Sequence, residues 1–150
     1  MMIIPFLHYT TYTGYGLVIA FGLLTGSIYT FAPRIMPYHQ QALGIKWEHL
    51  SKESRWMLLN YQRSVAAGFI TNSITILILL CGPYSRGEWW SMIAIFAISF
   101  LQSGNIAYRT WSVKRHTRAK PPLGALLILL AIIIISFTAS VVGRLMEASV

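Results

Sequence analysis

Residues 121–143 read PPLGALLILLAIIIISFTASVVG, and from Leu123 to Ile135 no polar side chain interrupts the run. A helix rises about 1.5 Å per residue and the hydrocarbon core of a bilayer is about 30 Å thick, so roughly 20 apolar residues make one crossing. Residues 121–143 satisfy that length without a single charge. Working back along the chain, Asp, Glu, Lys and Arg are also absent from Trp89 to Tyr108, from Ser64 to Ser85 and from Met1 to Pro33. The composition agrees: 55% of the 150 residues are hydrophobic and only 11% are charged, against about a quarter charged in an ordinary soluble domain.

The fold class expected is all-α, an integral membrane four-helix bundle forming one domain over residues 1–150. Helices are expected at about 13–32, 52–81, 88–110 and 121–144, with an interfacial loop between the first two. Pro33 closes the first, with Tyr9, Tyr12 and Tyr15 at its interfacial start. Ser51 is the natural N-cap of the second, Glu53 suits its first turn, and Gly82 and Pro83 end it. Trp89 and Trp90 anchor the third, and Pro121 and Pro122 open the fourth. The first apolar run has no basic n-region and reads as a retained helix rather than a secretory signal.

The net charge of +8 does not point to nucleic acid, because the basic residues flank apolar runs, where they orient the chain and contact anionic lipid headgroups. Arg34, Lys46, Lys52, Arg55 and Arg63 lie around the first loop and Arg109, Lys114, Arg115, Arg118 and Lys120 around the third, leaving Arg86 and Arg144 for the other side. The positive-inside rule therefore puts loops 33–55 and 109–120 in the cytoplasm of a cell inner membrane, and both termini in the periplasm, N-out and C-out.

Helices in lipid associate through small residues four apart and a few hydrogen bonds. Gly22 and Gly26 form a GxxxG; Ser64, Gly68 and Asn72, then Ser99 and Ser103, then Ser136 and Ser140 with Ala139 and Gly143, form similar stripes. Packing inside one bundle accounts for them, and a homo-oligomer or a partner membrane protein is also open. Asn72 is the residue best placed to bond across helices.

Two polar groups are candidate binding sites. In the first loop, Tyr38, His39, Trp47, Glu48 and His49 stand close in sequence, though without a standard metal-ligand spacing. At the ends of the second and third helices, Asn60, Gln62 and Arg63, together with Gln102, Asn105 and Arg109, make a set suited to an anionic ligand or a lipid headgroup if the two helix faces meet. No carboxylate or histidine lies within a crossing, which argues against a pump built on a buried acid and against haem held by paired histidines. Cys81 is alone, which removes CxxC chemistry. There is no GxSxG, HExxH or phosphate-binding glycine loop, so neither a catalytic set nor a cofactor is indicated.

Met36-Pro37-Tyr38-His39, Ala42-Leu43-Gly44, Trp47 and Leu50-Ser51, with Arg86-Gly87-Glu88-Trp89 ahead of the third helix, resemble small bacterial membrane proteins of four transmembrane helices and no assigned activity. That resemblance covers most of the chain and implies the four-helix architecture only. A weaker similarity is to the MAPEG membrane enzymes of glutathione and eicosanoid metabolism, which are of similar length, basic, four-helical and trimeric. Their second helix carries Arg, Asn four residues on and Glu three beyond; here Asn60 follows Arg55 at five, and Arg63 stands where the glutamate belongs. The leading expectation is an accessory, scaffold or lipid-interacting subunit. A small transporter or channel lined by Asn72 is the second, and a MAPEG-like enzyme acting on a lipophilic or thiol substrate is the third.

Overall fold

The computed structural model describes residues 3–149. Its helices are α1 (Ile3–Phe31), α2 (Pro37–Leu43), α3 (Lys52–Leu79), α4 (Trp89–His116) and α5 (Leu123–Ala148), with a single 3-10 turn at Trp47–His49 and no strand among the described residues. Four of these, α3 counted together with its extension to Tyr84, are long and apolar enough to cross a membrane. They form a helical membrane bundle.

The long helices extend beyond the expected bounds at several ends. α1 begins at Ile3 rather than near Thr13, since nothing from Ile3 onward breaks a helix except Pro5, which is tolerated in a first turn. Tyr15 therefore lies well inside α1 and is fully buried in the core instead of resting at the interface, while Tyr9 is exposed. Ser51 caps α3 as its sequence requires, accepting from the Ser54 N–H at 3.1 Å. At Leu80–Tyr84 the helix widens into a π turn around Pro83, which lacks the N–H for an α-helical bond, and the chain reverses at Gly87 with φ 86°. α4 continues to His116, where Lys114, Arg115 and His116 in the last turn complement the helix dipole.

α1 packs along both α3 and α5; α4 packs on α5 and meets α3 only sparsely. The close approaches use small residues. A Cβ on Gly22 or Gly26 would run into Ser73 or Ile70 of α3, and one on Gly14 into Ser136 of α5. The GxxxG is thus occupied within the bundle. Gly68, expected in the same packing role, is on the exposed face of α3 with nothing within 4 Å of its Cβ position. The residues of α3 that turn inward are Gln62, Ala66, Phe69, Ser73 and Ile76, a stripe displaced around the helix from Ser64, Gly68 and Asn72. Ser136 and Ser140 are both buried in α5.

The apolar core of Tyr15, Val18, Ile19, Ile76, Leu80, Tyr84, Ile95, Leu129 and Ile133 occupies the middle of the bundle and the half nearer the termini. That end is also clamped by polar contacts: Arg144 donates to the Tyr84 carbonyl at 2.6 Å, Ser140 to the Tyr84 hydroxyl at 3.0 Å, and His8 meets Glu147 at 2.7 Å. The basic half is built differently.

Candidate functional site

In the basic half all four long helices contribute to the wall of a half-open cavity of about 970 Å³, at the upper end of the roughly 300–1,000 Å³ usual for small-molecule sites. Its wall is mostly apolar: Phe21 and Ile28 from α1, Val65 and Phe69 from α3, Ile106 from α4 and Leu126 from α5. Phe21 and Phe69 stand next to the packed core and close the inner end. Asn72 donates to Gln102, tying α3 to α4 in mid-membrane; beyond that bond, toward the basic end, the cavity lies between the two helices. Tyr61 and Tyr108 line it yet are 68% and 65% exposed, so its open side lies between α3 and α4.

The first loop forms the cover. Pro37 at the first position starts α2, and Gly44 ends it in the left-handed conformation (φ 67°), donating to the Gln40 and Gln41 carbonyls. Gln62 fastens this strap. It is 2% exposed, its Oε1 accepts from the Met36 N–H at 3.3 Å, and its Nε2 donates to the Tyr29 carbonyl at 3.1 Å. One buried amide thus joins α3, the end of α1 and the start of α2, with both of its polar atoms satisfied. Tyr29 and Tyr38 bond through their hydroxyls at 2.8 Å, and the Lys120 N–H donates to Gln41 Oε1 at 3.2 Å, attaching α2 to the α4–α5 loop.

Arg109, Lys120 and His39 are the ionisable nitrogen groups on the lining, which includes no Asp or Glu. Arg109 Nε donates to Asn105 Oδ1 at 3.0 Å, leaving its terminal amino groups free to meet a ligand. Elsewhere, Glu147 pairs with His8 and Arg144 and Glu88 with Arg86, while Glu48 and Glu53 make no ion pair among the described residues. Burial holds the His39 imidazole below the ordinary histidine range, favouring its neutral form. Burial, and then the bond to Tyr29, push the Tyr38 hydroxyl up, keeping it protonated.

The residues singled out in sequence are divided by the fold. His39 and Arg109 line the cavity. Trp47, Glu48 and His49 sit in the 3-10 turn outside it, where Arg55 donates to the Glu48 carbonyl at 2.7 Å and lies over the Trp47 ring at 5.8 Å. Among the described residues no three His, Cys, Asp or Glu side chains gather into a metal-binding group. Asn60 folds back on the Trp56 carbonyl at 3.0 Å, Arg63 is exposed, and Asn105 serves Arg109. Gln62 and Gln102, which sequence placed in one group with them, become the strap fastening and the mid-membrane tie. Lys120 enters the sequence reading among the charges that orient the chain and contact anionic headgroups; its position immediately before Pro121 and Pro122, which set the start of α5, is the available signal for a cavity rim.

Comparison of the chain with protein-family models, with curated proteins and with solved structures gives no match.

Proposed function

We propose that this protein is a lipid-interacting membrane subunit that holds a lipophilic molecule between its helices, in an inner membrane with the basic loops cytoplasmic and both termini periplasmic. The observation that carries the reading is the cavity itself: about 970 Å³ of mostly apolar space, opening between α3 and α4 toward the surrounding lipid. Because the space is open on that side, an apolar molecule seated in it makes contacts with wall atoms that packing within the bundle leaves without partners. The packed core at the inner end and the clamp of Tyr84, Ser140 and Arg144 beyond it favour holding a molecule over passing one through.

Native mass spectrometry of the protein released from its own membrane tests this. A lipophilic molecule should leave with the wild-type protein and be lost when Val65→Trp fills the cavity, but be kept when Leu127→Trp, on the exposed face of α5, adds the same bulk outside. Equal retention by both variants, or a wild-type protein released empty, would overturn the proposal.

A further inference from the structure

The cavity has a direction. Its apolar residues lie toward mid-membrane, while Arg109, Lys120 and His39 lie on the side of the basic loops, at the end of α4, just before α5 and in α2. That polarity matches an amphiphile whose tail points inward and whose head lies near the membrane surface. We infer that the occupant is a membrane lipid with an anionic headgroup, its charge met by Arg109 and Lys120 and its acyl portion lying along Phe21, Val65, Phe69 and Leu126. The inference rests on the reading that the cavity holds a lipophile, and adds which lipid it selects.

Charge complementarity supports the choice. Arg109 and Lys120 line the site and no carboxylate does. Arg109 is oriented by Asn105, four residues earlier on the same helix, and retains its forked terminal donors for phosphate oxygens. Gln41 of the strap fixes the Lys120 backbone at the rim, and the flexible ammonium makes no ion pair among the described residues, so it can reach a headgroup there. Tyr61 and Tyr108 flank the open side at a level where amphipathic rings commonly meet headgroups. A lipid could therefore enter sideways from the bilayer, without first leaving the membrane.

The full-length protein is placed in nanodiscs of equal phosphatidylglycerol and phosphatidylcholine with matched acyl chains, and the lipids it retains on release are counted by mass spectrometry. Wild type should retain phosphatidylglycerol preferentially, and each of Arg109→Gln and Lys120→Gln should lower that preference roughly fivefold, the factor one basic residue contributes near an anionic surface. Total retained lipid should stay the same. Lys114→Gln with Arg118→Gln removes two charges at the same end of the bundle, one from the last turn of α4 and one from the α4–α5 loop, neither on the cavity lining, and should leave the preference unchanged. Equal retention of both lipids by wild type, or an equal loss of preference in the Lys114/Arg118 variant, would overturn the headgroup assignment while leaving cavity occupancy standing. Absence of retained lipid in every protein would overturn the occupancy reading as well. Because Lys120 makes no side-chain hydrogen bond among those present, its single variant reports the headgroup effect even if Arg109→Gln perturbs folding.

Discussion

Gly26→Ala should weaken the contact between α1 and α3, and Gly68→Ala should not, although both glycines sit in small-residue patterns of the same kind. The new Cβ at position 26 would lie 2.6 Å from Cγ1 and 3.3 Å from Cδ1 of Ile70, and 3.1 Å from the Ala66 carbonyl oxygen. Ile70 is β-branched, so its Cγ1 cannot rotate away freely, and a backbone carbonyl can yield only if the helices separate. Overpacking of this kind costs about 1–3 kcal/mol, against which alanine returns up to about 1 kcal/mol of helix propensity, leaving a net loss of about 1 kcal/mol. At Gly68 no atom lies within 4 Å of the Cβ, so only the propensity gain applies. Equilibrium unfolding in mixed micelles should separate the two variants by about 2 kcal/mol. Ile70→Ala removes the clashing atoms, and the double variant with Gly26→Ala should lose less stability than the two single losses added together. A Gly26→Ala protein as stable as Gly68→Ala would refute the close approach of α1 and α3 at this level.

Four further outcomes follow from single contacts. Gln62→Leu deletes the partners of the Met36 N–H and the Tyr29 carbonyl, and should cost about 1–3 kcal/mol while making the 36–43 segment cleavable by protease in vesicles that expose this face. Asn72→Leu leaves Gln102 without its partner in mid-membrane and should cost about 0.6 kcal/mol and at most about 1.7 kcal/mol, much of which Gln102→Leu should restore in a thermal melt. Tyr15→Phe should stabilise the protein by about 1 kcal/mol in the same melt, since the Tyr15 hydroxyl is buried without a partner; a lower melting temperature would be the contrary result. Because His39 titrates below the ordinary value of 6.5 in the fold, the unfolded chain binds the proton first as pH falls, so stability should decline below pH 6.5 and a His39→Gln protein should lack that component.

How much of this was legible in the sequence depends on what each feature rests on. The four crossings rest on uncharged runs, and runs are a property of sequence alone. The N-cap at Ser51 is equally local. The inward stripe of α3 is not: Gly68 and Gly26 look alike as small residues, and only the position of α1 decides that Ala66, Phe69 and Ser73 face inward while Gly68 faces out. The polar residues near the ends of α3 and α4 could be seen to share helix faces, but their partners lie in other elements. Gln62 finds Met36 and Tyr29, Asn72 finds Gln102, and Arg109 alone of the cations expected there reaches the lining.

The cavity was invisible to sequence because it follows from unequal packing at the two ends of the bundle. Toward the termini, large side chains interlock and Arg144 draws the α3–α4 turn onto α5 through the Tyr84 carbonyl. Toward the basic end the inward residues of α3 and α4 include Gln62 and Ala107, and Gln62 is committed to the strap, so no side chain from these positions fills the space between the helices. A bilayer would place lipid against that opening, and the strap across its end is fastened from three directions. Those bonds would be superfluous for a connection whose only task was to join α1 to α3, since a much shorter loop could turn the chain. The twenty positions between α1 and α3, 32–51, are, on the proposed function, the cover of the cavity, so Gln62→Leu should speed the loss of any retained lipid before it unfolds the bundle.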